Sequence, residues 1–193
     1  MKNLFSLGLL TLAAFLPAQA GTYSLSPATT TGLGSSFDLT LTLSDPFAGH
    51  PGDAITSFGF NVVIQNPSVV SYTGSTAGDL FFDATFSPVP TVVVFANDPF
   101  GLTPALPGYT DPFVIAVLHF SALQYGTTKI AVTTDVANDP NGGVYYLFAG
   151  PEDFSASADA TVVPEPGTIT VSALGACALA LALRRRRAVS SAA

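Results

Sequence analysis

From Ser35 to Ser44 large apolar and small polar residues alternate without a break: Phe37, Leu39, Leu41 and Leu43 share one parity, Ser36, Asp38, Thr40, Thr42 and Ser44 the other. Successive side chains of a strand point to opposite faces, so a period of two predicts a half-buried β-strand. Residues 58–65 repeat the pattern, with Phe58, Phe60, Val62 and Ile64 on one face. Between the two runs lies Asp45-Pro46-Phe47-Ala48-Gly49-His50-Pro51-Gly52-Asp53, dense in turn formers. The two runs are therefore expected to be antiparallel strands joined by a loop.

Further strands are expected at Val69–Thr73, Asp79–Phe86, Thr91–Ala96, Phe113–Ala122, Lys129–Asp135, Val144–Phe148 and Phe154–Val162. They are rich in Val, Thr, Phe and Tyr and are separated by clusters such as Asn97-Asp98-Pro99-Phe100-Gly101 and Asn138-Asp139-Pro140-Asn141-Gly142-Gly143. No window between them has the spacing and length of an amphipathic helix. About nine short strands at this spacing indicate an all-β chain: a two-sheet antiparallel β-sandwich or jelly roll, spanning residues 21–162.

The flanking segments read as delivery signals. Lys2, an apolar run from Leu4 to Leu16, and the small residues Ala18 and Ala20 before Gly21 form a signal peptide over residues 1–20 with its cleavage site after Ala20. After the sandwich, Val163-Pro164-Glu165-Pro166-Gly167 can continue neither helix nor strand and is an extended linker. Residues 168–183 are uncharged and read as a short transmembrane helix, followed by Arg184, Arg185, Arg186 and Arg187 and a cytoplasmic tail at 188–193. Such a helix reaches about 24 Å against a hydrocarbon core of about 30 Å. Its Leu, Ile and Val residues contribute roughly −2 to −4 kcal/mol towards insertion, so it suits a transient stop, with the arginines on the cytoplasmic side.

Charge narrows the function. Of the 6 Lys+Arg residues, Lys2 and the four arginines lie in the delivery segments, which leaves Lys129 alone in the sandwich against 13 acidic residues between Asp38 and Glu165. A surface with so few cations cannot neutralise a phosphate backbone, so nucleic-acid binding is excluded. Cys177, the sole cysteine, sits in the apolar tail, so the domain folds without a disulfide.

Two resemblances add to this reading. The succession Ser36-Phe37-Asp38-Leu39-Thr40-Leu41-Thr42-Leu43, Ile55-Thr56-Ser57-Phe58-Gly59-Phe60-Asn61-Val62 and Asn66-Pro67-Ser68-Val69-Val70-Ser71-Tyr72 resembles the opening strands of cohesin-type domains. Val114–Ala122 followed by Gly126-Thr127-Thr128-Lys129-Ile130 resembles their later core strands. This implies a cohesin-like jelly roll, a fold shared with some carbohydrate-binding modules, whose cellulosomal members bind dockerin domains. Pro164-Glu165-Pro166, the short apolar segment and the four arginines resemble the PEP-CTERM tail, also called the ice-binding-protein C-terminal motif. That implies a Gram-negative bacterium, an exosortase-type membrane protease as partner, cleavage near Pro164–Pro166, and a transient inner-membrane intermediate. Delivery to the cell surface or an exopolysaccharide-rich biofilm matrix would follow.

Chemistry-bearing residues are sparse. His119 sits within a strand and is expected to be structural; His50, in a Pro/Gly loop, is expected to be solvated. No nucleophile elbow, HExxH pair, Cys/His metal spacing or phosphate loop occurs. Asp135, Asn138, Asp139 and Asn141 offer the hard oxygens that Ca²⁺ accepts, though their spacing is not that of an EF-hand and equally suits an ordinary turn; no other cofactor is implied. Tyr109, Tyr125, Tyr145 and Tyr146 are candidates for a sugar-stacking platform, with Tyr145 and Tyr146 necessarily on opposite faces.

The sequence thus points to a non-catalytic exported envelope or biofilm-matrix protein that binds an extracellular protein partner. Binding of exopolysaccharide by a carbohydrate-binding module is the alternative, and a glycoside-active enzyme using two of the carboxylates a third.

Overall fold

The computed structural model describes residues 21–26, 29–84 and 91–164. The signal peptide expected at 1–20, the transmembrane segment expected at 168–183, the arginines and the remainder of the chain beyond Pro164 lie outside the described residues.

Twelve strands form two sheets, with no helix among the described residues. They are β1 (Thr22–Leu25), β2 (Thr29–Gly32), β3 (Ser36–Ser44), β4 (Ile55–Ile64), β5 (Val70–Ala77), β6 (Phe81–Asp83), β7 (Thr91–Ala96), β8 (Phe113–Ala122), β9 (Gly126–Thr133), β10 (Gly143–Tyr146), β11 (Gly150–Glu152) and β12 (Ser155–Val163). The smaller sheet runs β1-β3-β8-β5, and the larger contains β11-β10-β4-β9-β12-β2 with β7 and β6 attached to β4. Ser57 faces both Phe95 of β7 and Tyr145 of β10, while Asn61 faces both Thr91 of β7 and Thr133 of β9. Strand β4 therefore has β7 along one edge and shares its other edge between β10 and β9.

Alternation dictates the packing. On β3, Leu39, Leu41 and Leu43 are fully buried, and on β4 Phe58, Phe60 and Val62 face them across the core. Phe58 meets Phe81, Phe113 and Phe154 at centroid distances of 5.4–6.4 Å, so aromatic rings from both sheets fill the upper core. Along β12 the inward residues are small, Ala156, Ala158 and Ala160 against the exposed Ser155, Ser157 and Asp159, which brings that strand close to its opposite sheet.

Several expectations need correction. β3 and β4 are not a pair: β3 lies between β1 and β8, and β4 lies in the other sheet. Alternation reports that a strand has one buried face but carries no information about which strand it borders, and Asp45–Ala54 is long enough to cross between sheets. Among the described residues there are twelve strands, not about nine, because β1, β2 and β11 are too short, and β2 (Thr-Thr-Thr-Gly) too uniformly polar, to show periodicity. The sandwich is antiparallel except for β2, which runs parallel to β12.

Most of the described connections gather at two ends of the sandwich; the exception is the crossing from β1 towards β2, which leaves at Ser26 beside Thr40, midway along β3. At one, Val163 pairs with Gly32, Val162 with Gly126, and Leu123 donates its N–H to Val69, so the loops at 33–35, 65–69 and 123–125 surround the point where the chain leaves the sandwich at Pro164. We term this the proximal end. The connections at 45–54, 78–80, 97–112, 134–142, 147–149 and 153–154 gather at the distal end.

Candidate functional site

The distal end is assembled by aspartates. Eleven of the 13 acidic residues are Asp, and a short carboxylate is the natural acceptor for a nearby loop N–H. Asp98 accepts from Phe100 N–H at 2.8 Å, Asp111 from Asp45 N–H at 3.1 Å, Asp139 from Asn141 N–H at 2.9 Å, and Asp153 from Val136 N–H at 2.8 Å and the Thr134 hydroxyl at 2.9 Å. Asp53 is the most buried of them, accepting from the N–H groups of Ala54 at 2.7 Å, Phe148 at 3.0 Å and Ala149 at 2.9 Å. Burial alone pushes its carboxyl up. The backbone N–H groups of Ala54, Ala149 and Phe148, with nearby His50, outweigh that and hold it below the usual carboxylate range.

These carboxylates fix loops that present apolar side chains. Phe100 follows the Asp98 turn, and Leu102, two residues further on, bridges to Ile55 at 2.7–2.9 Å through paired backbone hydrogen bonds. Leu147 N–H bonds to Ala54 O at 2.8 Å, and Phe148 is held by Asp53. Phe100 and Phe148, each 79% exposed, and Leu147 thus project from two loops that both anchor on Asp53–Ile55.

Beneath them lies a polar cluster. His50 Nε2 is 2.9 Å from Glu152 Oε1, and its ring packs 4.2 Å from that of Tyr146. Tyr146 donates to Pro46 O at 2.7 Å, and Tyr23 stacks on Phe154 at 4.2 Å with its hydroxyl buried. Burial, then Glu152 and Asp53, raise the Tyr146 phenol; burial, then Tyr146 and Glu152, raise that of Tyr23. Both stay neutral. The expectation of a solvated His50 is corrected: the Phe47–Asp53 loop folds back over the end of the core and carries the ring inwards.

On the outer face of the smaller sheet, Asp38 Oδ1 lies 2.8 Å from His119 Nδ1, and His119 Nε2 lies 2.9 Å from Thr76 Oγ1. The acceptor Asp38 requires Nδ1–H, so in the neutral ring Nε2 accepts from the threonine hydroxyl. This Asp–His–Thr chain crosses β3, β8 and β5. It escapes sequence inspection because its members are 81 and 43 residues apart. Asp38 is 58% exposed on an open strand face, so solvent screens the chain.

Of the proposed Ca²⁺ ligands, Asp135, Asn138, Asp139 and Asn141 do come together in one turn. Asp135 accepts from Asn138 Nδ2 at 2.8 Å and Asp139 from Asn141 N–H, so both carboxylates serve the turn itself. No cluster of three or more His, Cys, Asp or Glu suited to a metal ion occurs among the described residues. This turn lies over Gly59, where a Cβ would stand 1.5 Å from Asn141 O. The four tyrosines do not meet: Tyr109 packs on Phe113, Tyr146 is buried, Tyr145 donates to Pro140 O, and Tyr125 is exposed at the proximal end. An exposed aromatic pair does occur elsewhere, Phe82 against Phe95 with centroids 5.7 Å apart and planes at 24°.

Among solved structures, the chain is similar to the cohesin of a type I cohesin–dockerin complex from Clostridium thermocellum, at 11% identity and a TM-score of 0.46, covering 73% of this chain and 93% of that one. It is also similar to the sixth cohesin of scaffoldin B from Acetivibrio cellulolyticus, solved with a dockerin, at 16% identity and a TM-score of 0.42 over 76% and 99%. A type II cohesin from the cellulosome of Acetivibrio cellulolyticus matches at 12% identity and a TM-score of 0.45 over 71% and 95%. No curated protein sequence matches. The last residues of β12 and the tail that follows, residues 162–187, are a PEP-CTERM protein-sorting motif.

Proposed function

We propose that the protein is a non-catalytic exported binding module of the cell envelope or biofilm matrix of a Gram-negative bacterium. An exosortase-type membrane protease recognises its tail while it is held transiently in the inner membrane, and the sandwich binds an extracellular protein. The sorting motif at residues 162–187 supports the export half of this reading.

The observation that carries the binding half is the distal end. Exposed large apolar side chains in mutually anchored loops suit an interaction site, and here Phe100, Leu147 and Phe148 stand on loops that both bond to Asp53–Ile55 and so are fixed before any partner arrives, which lowers the ordering cost of binding. The same end carries Asp45, Asp53, Asp79, Asp98, Asp111, Asp135, Asp139, Glu152 and Asp153, which suits a partner with an apolar centre and a basic rim. Solvent screening of Asp38 supports the non-catalytic reading, since an acid–base relay works best where water is excluded.

Affinity capture from envelope extract, run beside a glycan array, tests this. A protein retained by the native domain and lost on Phe100→Ser with Phe148→Ser supports it. Glycan signal without such a protein, abolished by Phe82→Ala with Phe95→Ala, would support the second reading: that the exposed Phe82–Phe95 pair stacks against sugar rings of exopolysaccharide. Polysaccharide turnover that vanishes on replacing one carboxylate would overturn both.

A further inference from the structure

Charge is distributed along the sandwich axis, not merely in excess. Nine acidic residues lie in or beside the distal connections, Asp38, Asp83 and Asp159 lie along strands, and the thirteenth, Glu165, belongs to the linker after Pro164. The described proximal connections, Leu33-Gly34-Ser35, Gln65-Asn66-Pro67-Ser68-Val69 and Leu123-Gln124-Tyr125, together with the exit at Val163-Pro164, contain no Asp, Glu, Lys, Arg or His. They expose Leu33 (43%), Leu123 (53%) and Tyr125 (47%). In a chain this acidic, three uncharged loops that expose apolar or amphipathic side chains stand out, with Glu165 of the linker the first charge beyond the exit and the sorting motif beginning beside them.

We propose that this end packs against the bilayer interface while the tail is inserted, an inference that rests on reading residues 168–183 as the membrane segment. Chain length forces proximity. Only Pro164-Glu165-Pro166-Gly167 separates the last strand from that segment, and four extended residues span at most about 14 Å. The headgroup region beyond the hydrocarbon core occupies about 5–7 Å per leaflet, so the proximal loops are within reach of it. A charged end held there would lose hydration and, if acidic, meet anionic lipid. An uncharged end with leucines and a tyrosine gains instead, because Tyr partitions to this boundary and leucine favours the acyl side. The acidic end stands off by the length of the nine-residue β3, about 30 Å, several times the Debye length of about 8 Å at physiological salt. Attachment to the membrane would thus also set orientation, with Phe100 and Phe148 directed away from the surface.

The test uses the full chain beginning at Gly21 in vesicles of phosphatidylethanolamine and phosphatidylglycerol. In a Cys177→Ser background, single-cysteine chains Leu123→Cys, Tyr125→Cys and Phe148→Cys carry an environment-sensitive fluorophore; a chain labelled at native Cys177 reports tail insertion. Blue-shifted emission and quenching by headgroup nitroxide are expected at 123 and 125 and absent at 148, with Cys177 quenched by acyl-chain nitroxide. Adding Leu33→Asp to the Tyr125→Cys chain should remove its blue shift while leaving the melting temperature unchanged. If positions 123 and 125 stay as unquenched as 148 while Cys177 is quenched, the proposal fails and the tail reading survives; a protein partner covering this end would give that same result. An unquenched Cys177 would overturn the tail reading and the proposal together.

Discussion

Replacing Asp53 by alanine removes the acceptor for three backbone N–H groups at once, those of Ala54, Phe148 and Ala149. A buried donor without a partner costs about 1–3 kcal/mol. Because this turn sits at the surface and water reaches some of the freed groups, the low end of that range applies to each, giving a total of about 3–4 kcal/mol. For a domain of this size that lowers the melting temperature by roughly 10 °C. Asp53→Asn should fall between: its carbonyl oxygen can still accept from Ala54 and Phe148, but its amide would set N–H against N–H at Ala149. The pH dependence has a definite sign. The folded carboxyl titrates below its unfolded value of about 3.9, so its contribution is complete above that value and is lost as pH falls through the folded one. Thermal melts from pH 7 to pH 3 should show a steeper acid limb for the native chain than for Asp53→Asn. A fall of less than about 2 °C on Asp53→Ala at pH 7, or parallel acid limbs, would refute the assignment of Asp53 as the residue that pins the distal loops.

Three further outcomes can be checked. Gly59→Ala drives a Cβ into the backbone carbonyl of Asn141, which cannot rotate aside, so a loss of about 3 kcal/mol or more and increased proteolysis within residues 135–142 are expected by melting and limited digestion. Leu39→Ala, at a fully buried position shared by both sheets, should cost about 2–5 kcal/mol in denaturant titration. His119→Ala breaks contacts with Asp38 and Thr76 on a solvent-screened face and should change stability by no more than about 1 kcal/mol; a larger loss would show that the outer face of the smaller sheet matters to the fold.

What was legible in the sequence was whatever depends on near neighbours. The parity of Phe37 to Leu43 correctly gives the buried face of β3, and Phe58, Phe60 and Val62 that of β4, because a strand's two faces are set by its own residues. Partnership is not local: whether β3 lies beside β4 or β8 depends on how both sheets fold over one core, and the sequence contains no term for it. Short edge strands such as β2 and β11 owe their conformation to the neighbour they pair with. The site followed the same division. The turn at Asp135–Asn141 could be found by inspection because its residues are adjacent, whereas Asp53 with Phe148, or Asp38 with His119, meet across 95 and 81 residues. His50 was misplaced because a loop rich in Pro and Gly reads as solvated whether or not it folds back over the core.

The course of β12 has a mechanical consequence. It lies between β9, antiparallel over eight registered residues, and β2, parallel over four, and it leads straight into the linker. A force applied at Pro164 along the strand would shear the interstrand hydrogen bonds on both sides together instead of peeling them one at a time. Traction at this point is spread over two ladders at once, and the protein can be held by its tail without the strand that carries it being unzipped.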